Sequence, residues 1–214
     1  MKKQEIKIER TAHYYSLGEI NKKTREIWLV CHGYGQLAEF FIEKFKVIDR
    51  PSRYIIAPEG LNKFYLKGYN GRVGASWMTK ENRIDEINDY CKFLDTLIIK
   101  MKKQAHKDCR LNLLGFSQGT STLSRWFLRT NEKVVKMILW GGYIANDFNF
   151  EKYSLLKKNT KILMVFGTDD EFYSKTDVKS YKESMKNFDV KWIEYDGKHT
   201  IPPKIIKEIA DGND

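Results

Sequence analysis

Cysteine is scarce, and long apolar runs are missing. The 214 residues include 3 cysteines: Cys31, Cys91 and Cys109. They are odd in number, widely spaced, and form neither a CxxC pair nor a metal-ligand spacing, which excludes a disulfide framework and a structural zinc site. Each reads as a core filler. Cys31 beside His32 suggests a thiol–imidazole pair, but neighbours on a strand point to opposite faces. No segment approaches the ~18 consecutive apolar residues that span a bilayer, so no stable membrane insertion is expected. The basic start, MKKQEIKIER, has no apolar stretch behind it, so a secretory signal is not expected and the cytoplasm is the expected location. Nothing resembles a zinc finger, an RNP motif or a helix built for the major groove, so nucleic acid is not expected as a partner. Internal repeats, low-complexity tracts and linkers are absent, and one domain over 1–214 follows.

What is present is a globular composition, 42% hydrophobic and 14% aromatic, with a formal net charge of +10. Lysines concentrate around 100–107 and 157–161. On or beside helices they read as solvated faces. The alternative is attraction to something anionic, such as a phosphorylated substrate, an acidic carrier protein, nucleic acid or a membrane surface.

Apolar runs alternate with helical periodicity along the chain. An edge strand or hairpin is expected within 6–15. Buried strands are expected at 25–33, 52–60, 109–116, 134–142, 161–167 and 190–197. Helices are expected at 35–45, 82 to about 105, 118–129, within 172–187, and after Pro202 and Pro203, since proline suits a first helical turn. Residues 58–80, with four glycines and several aromatics, show no period. Strands alternating with helices imply βαβ units, a mostly parallel sheet and helices on both of its faces.

The strand at 109–116 runs into Gly115-Phe116-Ser117-Gln118-Gly119. Gly-x-Ser-x-Gly arises by chance in a chain of this length at a level of a few per cent, on the order set by average composition. Here it has the context that gives it meaning: a strand before it and a helix after it. Such a turn strains the serine backbone, exposes Oγ, and points a helix N-terminus at it. The competing reading is a strand–helix turn with an N-capping serine. A serine nucleophile needs a base within hydrogen-bond reach. His13 and His106 read as surface residues and His32 as a turn former. His199 follows the last strand, on the sheet edge where such folds bind ligands. The carboxylate that orients it must leave the strand before, where Asp169 and Asp170 are adjacent and spacing does not choose between them.

The segments VCHGYGQ (30–36), APEG (57–60), ASWM (75–78), LLGFSQG (113–119), VFGTDDEF (165–172) and GKHTIP (197–202) together resemble an α/β-hydrolase esterase. The chain is most similar to the phospholipase/carboxylesterase group that includes the acyl-protein thioesterases. The resemblance implies the α/β-hydrolase fold and Asp170 as the acid, with Asp169 the fallback. It also implies the backbone N–H groups of Tyr34 and Gln118 as the oxyanion hole, and Trp77 as a wall of the acyl pocket or a core residue. Thr120 stands where the family commonly has a second glycine, and 58–80 matches no family pattern.

The expected activity is hydrolysis of a small-molecule carboxylic ester or thioester through an acyl-enzyme on Ser117, with His199 and Asp170 and without metal or organic cofactor. Tyr65 and Trp77 with Tyr143 and Phe172 are expected to line an apolar acyl or aryl pocket, or else to be core and rim packing. Two other readings keep the scaffold. One is a binding protein that uses its basic surface, and the other is an acyltransferase with the same triad.

Overall fold

The computed structural model describes residues 1–156 and 159–212. Lys157 and Lys158, part of the second lysine cluster, lie outside the described residues. The strands are β1 (Tyr14–Leu17), β2 (Glu26–Cys31), β3 (Arg53–Pro58), β4 (Asn62–Tyr65), β5 (Val73–Ser76), β6 (Arg110–Phe116), β7 (Val134–Trp140), β8 (Lys161–Gly167) and β9 (Val190–Tyr195). The helices are α1 (Ala38–Ile42), α2 (Arg83–Gln104), α3 (Gln118–Phe127), α4 (Phe150–Leu156), α5 (Lys175–Ser184) and α6 (Pro203–Asp211).

Seven strands form one sheet in the order β1-β3-β2-β6-β7-β8-β9. Only β1 runs antiparallel to its neighbour. A parallel sheet is covered on both faces, so its strands are apolar at every position rather than at alternate ones. In β2, Ile27, Leu29 and Cys31 enter one core and Trp28 and Val30 the other. In β3 the split is Tyr54 and Ile56 against Ile55 and Ala57. Residues of α2, α3, α4 and α5 fill the first core, and residues of α1 and α6 the second. This is the layered α/β arrangement expected from the alternation of elements.

The differences from expectation lie at the margins. The first strand begins only at Tyr14, and residues 1–13 carry no regular structure. The helix expected at 35–45 is one short turn of α-helix that tightens into a 3₁₀ turn over Glu43–Ile48, burying Ala38, Phe41, Ile42 and Phe45 while Phe40 faces out. Ile84, in the first turn of α2, is exposed, while Ile87, Cys91, Leu94 and Ile98 are buried. Residues 62–76 form a separate two-stranded hairpin, β4–β5, where no period was visible. Its strands are four residues long, too short to show one. Among the described residues no helix is long and apolar enough to cross a membrane.

The edge of the sheet where β2 and β3 begin is held by a buried ion cluster. Arg53 is fully buried. Its Nε donates to Glu26 Oε2 at 2.9 Å, its Nη1 to the Ile48 carbonyl at 2.7 Å and its Nη2 to the Ala210 carbonyl at 3.2 Å. One guanidinium thereby ties the sheet to the 3₁₀ turn and to the end of α6. Burial pushes the Glu26 carboxyl up, but the Trp28 indole N–H and the guanidinium groups of Arg53 and Arg50 outweigh it and hold the carboxyl below its usual value. A depressed carboxyl contributes stability that is present above its unfolded-state pKa and lost as pH falls through the folded-state one. Glu26→Gln removes the buried counter-charge of Arg53 and leaves it only the more distant, exposed Asp211 carboxylate, 3.6 Å from Nη2. Urea denaturation is expected to show a loss of about 3 kcal/mol near neutral pH and a weaker decline on acidification than in the wild type.

Candidate active site

β6 delivers the chain to Ser117 at the edge where the parallel strands end. Ser117 has φ 53° and ψ −117°, a positive-φ geometry that costs a non-glycine residue on the order of 1–3 kcal/mol. The surroundings impose it. The Ser117 N–H donates to the Trp140 carbonyl of β7 at 2.9 Å, and α3 begins at the next residue. A Cβ on Gly119 would stand 2.2 Å from the Cys31 carbonyl oxygen, and one on Gly115 would stand 2.4 Å from the carbonyl of Gly119. Both motif glycines therefore serve close packing: β6 against α3, and α3 against the end of β2. Thr120, in place of a glycine, uses its hydroxyl as a bridge, 2.7 Å from the Ser117 carbonyl and 2.8 Å from that of Tyr143.

Asp170 follows β8 and His199 follows β9. His199 Nδ1 donates to Asp170 Oδ2 at 2.7 Å, and the Phe172 N–H donates to Asp170 Oδ1 at 2.9 Å. The carboxylate is thus fixed from both oxygens, and the imidazole keeps its Nε2 lone pair free to accept a proton. The Asp170 side chain is 1% exposed and that of His199 9%. Asp169 is exposed, and its N–H binds the Gly197 carbonyl. Geometry thus separates the two aspartates that spacing left equivalent. The His199 ring packs between Phe116, the residue before Ser117, and Phe172, each with its centroid 4.7 Å away. A Cβ on Gly141 would stand 2.9 Å from His199 Cε1, so the turn after β7 leaves the imidazole its room. Among the described residues no hydrogen bond joins Ser117 to His199. Such contacts in unliganded sites commonly tighten only when substrate binds.

His13 is exposed, and His106 and His32 are occupied elsewhere. His106 lies before β6, near the opposite sheet edge, 2.9 Å from Arg25 Nη1. His32 is fully buried. Its Nε2 accepts the Gly60 N–H at 2.9 Å, so its Nδ1 carries the proton and donates to the Gly33 carbonyl at 2.8 Å. Burial lowers its pKa, which keeps the ring neutral. Burial also pushes the Cys31 thiol up, away from thiolate chemistry. His32 is the turn former expected from the sequence, and the turn it shapes lies against the serine: a Cβ on Gly33 would stand 3.0 Å from Ser117 Cβ. In this turn the Gly33 N–H is taken by Gln36 Oε1 and the Gly35 N–H by the Ala75 carbonyl. Among the described residues the N–H groups of Tyr34 and of Gln118, the first residue of α3, have no acceptor.

A family model for serine hydrolases of the FSH1 type matches residues 22–207. The chain belongs to the FSH1 serine hydrolase family. No curated protein matches it in sequence. Solved structures similar to this family member include the esterase PE8, with TM-score 0.69 and 19% identity over 94% of this chain and 97% of the other. Acyl-protein thioesterase 2 of Zea mays aligns with TM-score 0.68 and 13% identity over 94% and 96%. A phospholipase/carboxylesterase of Dyadobacter fermentans aligns with TM-score 0.66 and 18% identity over 94% and 96%. The shared architecture is that of the α/β-hydrolase esterases.

The aromatics expected to line a pocket divide. Trp77 has no exposed surface. It packs in the core beside His32 and Tyr90, and its indole N–H donates to the His32 carbonyl at 2.9 Å. Its place in this serine hydrolase is therefore behind the turn at Gly33 rather than on an open surface. Tyr65 is half exposed on the hairpin, and Tyr34 stacks on Phe64 of the same hairpin. Phe172 is exposed against His199. The Tyr143 ring stacks on Tyr181 and packs edge-on against Tyr173. Its hydroxyl is buried without a hydrogen-bond partner, and burial foremost, with nearby Asp177 also contributing, pushes it up to about 12.

Sequence reasoning missed the side chain of Gln118. Its Oε1 accepts the Trp77 N–H at 3.1 Å and its Nε2 donates to the Met78 carbonyl at 2.9 Å. No local signal marks these partners, which lie 40 or 41 residues away. Gln118→Ala removes the tie between α3 and the segment that follows the hairpin. Limited trypsin digestion is expected to cut at Lys67 and Arg72 several-fold faster in this variant. An unchanged rate would place the stability of the hairpin elsewhere.

Proposed function

We propose that the chain hydrolyses carboxylic esters or thioesters through an acyl-enzyme on Ser117. Ser117 Oγ attacks the acyl carbonyl while His199 Nε2 takes its proton. Asp170 holds the imidazole in the Nδ1–H tautomer and stabilises the imidazolium that forms. The N–H groups of Tyr34 and Gln118 receive the oxyanion, each contributing roughly 3 kcal/mol to the transition state. His199 then protonates the leaving group and activates water for deacylation.

One observation carries this reading. A buried carboxylate 2.7 Å from His199 Nδ1 sits at the same sheet edge as a serine held at φ 53°. An N-capping serine has no need of that backbone geometry, and the Ser117 side chain caps nothing here. Membership of a serine hydrolase family supports the chemistry. The likeness to esterase and thioesterase structures supports the acyl substrate class.

A p-nitrophenyl ester series from acetate to palmitate tests it. Ser117→Ala is expected to lower kcat/KM by about 10³-fold or more, and Asp170→Asn by a comparable factor through the wrong tautomer. A fluorophosphonate is expected to label Ser117 in the wild type. Undiminished turnover in Ser117→Ala overturns the mechanism.

A further inference from the structure

A groove of about 900 Å³ opens between α5 and β9. Its floor is apolar, made by Phe166, Val178 and Tyr173. Gly167 and Thr168, which lead from β8 toward Asp170, also line it. Tyr173 belongs to both places, since its ring centroid lies 6.2 Å from that of His199.

The charges that face the groove are three ammonium groups and two carboxylates: Lys175, Lys179 and Lys182 of α5, with Glu183 and Glu194. The lysines recur at helical spacing and share one face of α5. Both carboxylates are engaged. Lys182 Nζ is 3.6 Å from Glu194 Oε1, spanning the groove from helix to strand, and Lys186 Nζ is 2.6 Å from Glu183 Oε1. Among the described residues Lys175 and Lys179 have no carboxylate partner. Here Lys175 and Lys179, both exposed and without a carboxylate partner, share a groove with Phe166, Val178 and Tyr173, a placement that attracts an anion carried on an apolar arm. The volume suits a small ligand.

We propose that this groove binds the anionic end of the substrate, a carboxylate or phosphate carried on an alkyl or aryl arm. This rests on the ester-hydrolase reading above and narrows it to anionic esters.

Binding is tested first without turnover, by calorimetric titration of phenyl phosphate into Ser117→Ala at low salt. Saturable binding is expected, weakened at least tenfold when Lys175→Glu and Lys179→Glu are added. The same charge change made by Lys204→Glu and Lys207→Glu on α6 is expected to preserve it. No saturable binding, or equal loss from both pairs, overturns the groove as a specific site. Two ester pairs then locate the anion: mono-p-nitrophenyl glutarate against p-nitrophenyl butyrate for the acyl side, and 4-carboxyphenyl against phenyl butyrate for the leaving group. One anionic member is expected to show a KM several-fold lower than its neutral partner. Hydrolysis without preference in either pair overturns the groove and leaves the hydrolase reading standing. Phenyl phosphate binding with no ester cleaved overturns the hydrolase reading and leaves the groove.

Discussion

How closely α3 approaches β2 governs the rest of the site. With the Cys31 carbonyl 2.2 Å from where a Cβ of Gly119 would be, only glycine lets the helix come this close. The chain must leave β6 and enter α3 within one residue. Ser117 absorbs that reversal in its backbone, which explains why the strained residue is also the candidate nucleophile. The cost is met by burial around it, because both faces of β2 and β6 are packed and neither strand can relax.

A second set of contacts fastens the periphery to this centre. The hairpin strand β5 meets the turn at Gly33–Gln36 through the Gly35 N–H to Ala75 carbonyl bond at 2.9 Å and the Ala75 N–H to Gln36 carbonyl bond at 3.1 Å. Beyond it, Trp77 reaches under the same turn while Gln118 grips its backbone. The two backbone N–H groups assigned to the oxyanion hole thus lie in segments that share one support, although Tyr34 and Gln118 are far apart in sequence. His32 completes that support with both ring nitrogens engaged, so the buried imidazole acts as a brace.

Much of this was legible in the sequence because the strongest constraints are local. Parallel strands buried on both faces leave unbroken apolar runs, and a strand–serine–helix turn leaves its glycines. The positions of Asp170 and His199 follow from strand ends sharing one edge. What escaped depends on contacts between distant segments. Asp170 and Asp169 were separated by resemblance alone, whereas in space only Asp170 faces the imidazole. Thr120 read as a departure, yet its hydroxyl joins two carbonyls that a glycine would leave to other partners. The hairpin was hidden by strands too short for a period, and α4 falls where no element was expected. Trp77 carries no mark in sequence of whether it faces substrate or core.

Asp170 and His199 are 29 residues apart along the chain and touch. Everything between them, α5 and β9 included, is an excursion whose two ends are pinned to each other. The outward face of α5 can therefore drift over generations, gaining or losing lysines or lengthening by a turn, without disturbing the pair that closes the loop. In a lineage built on this scaffold, what is recognised and how it is cleaved are free to evolve at different speeds.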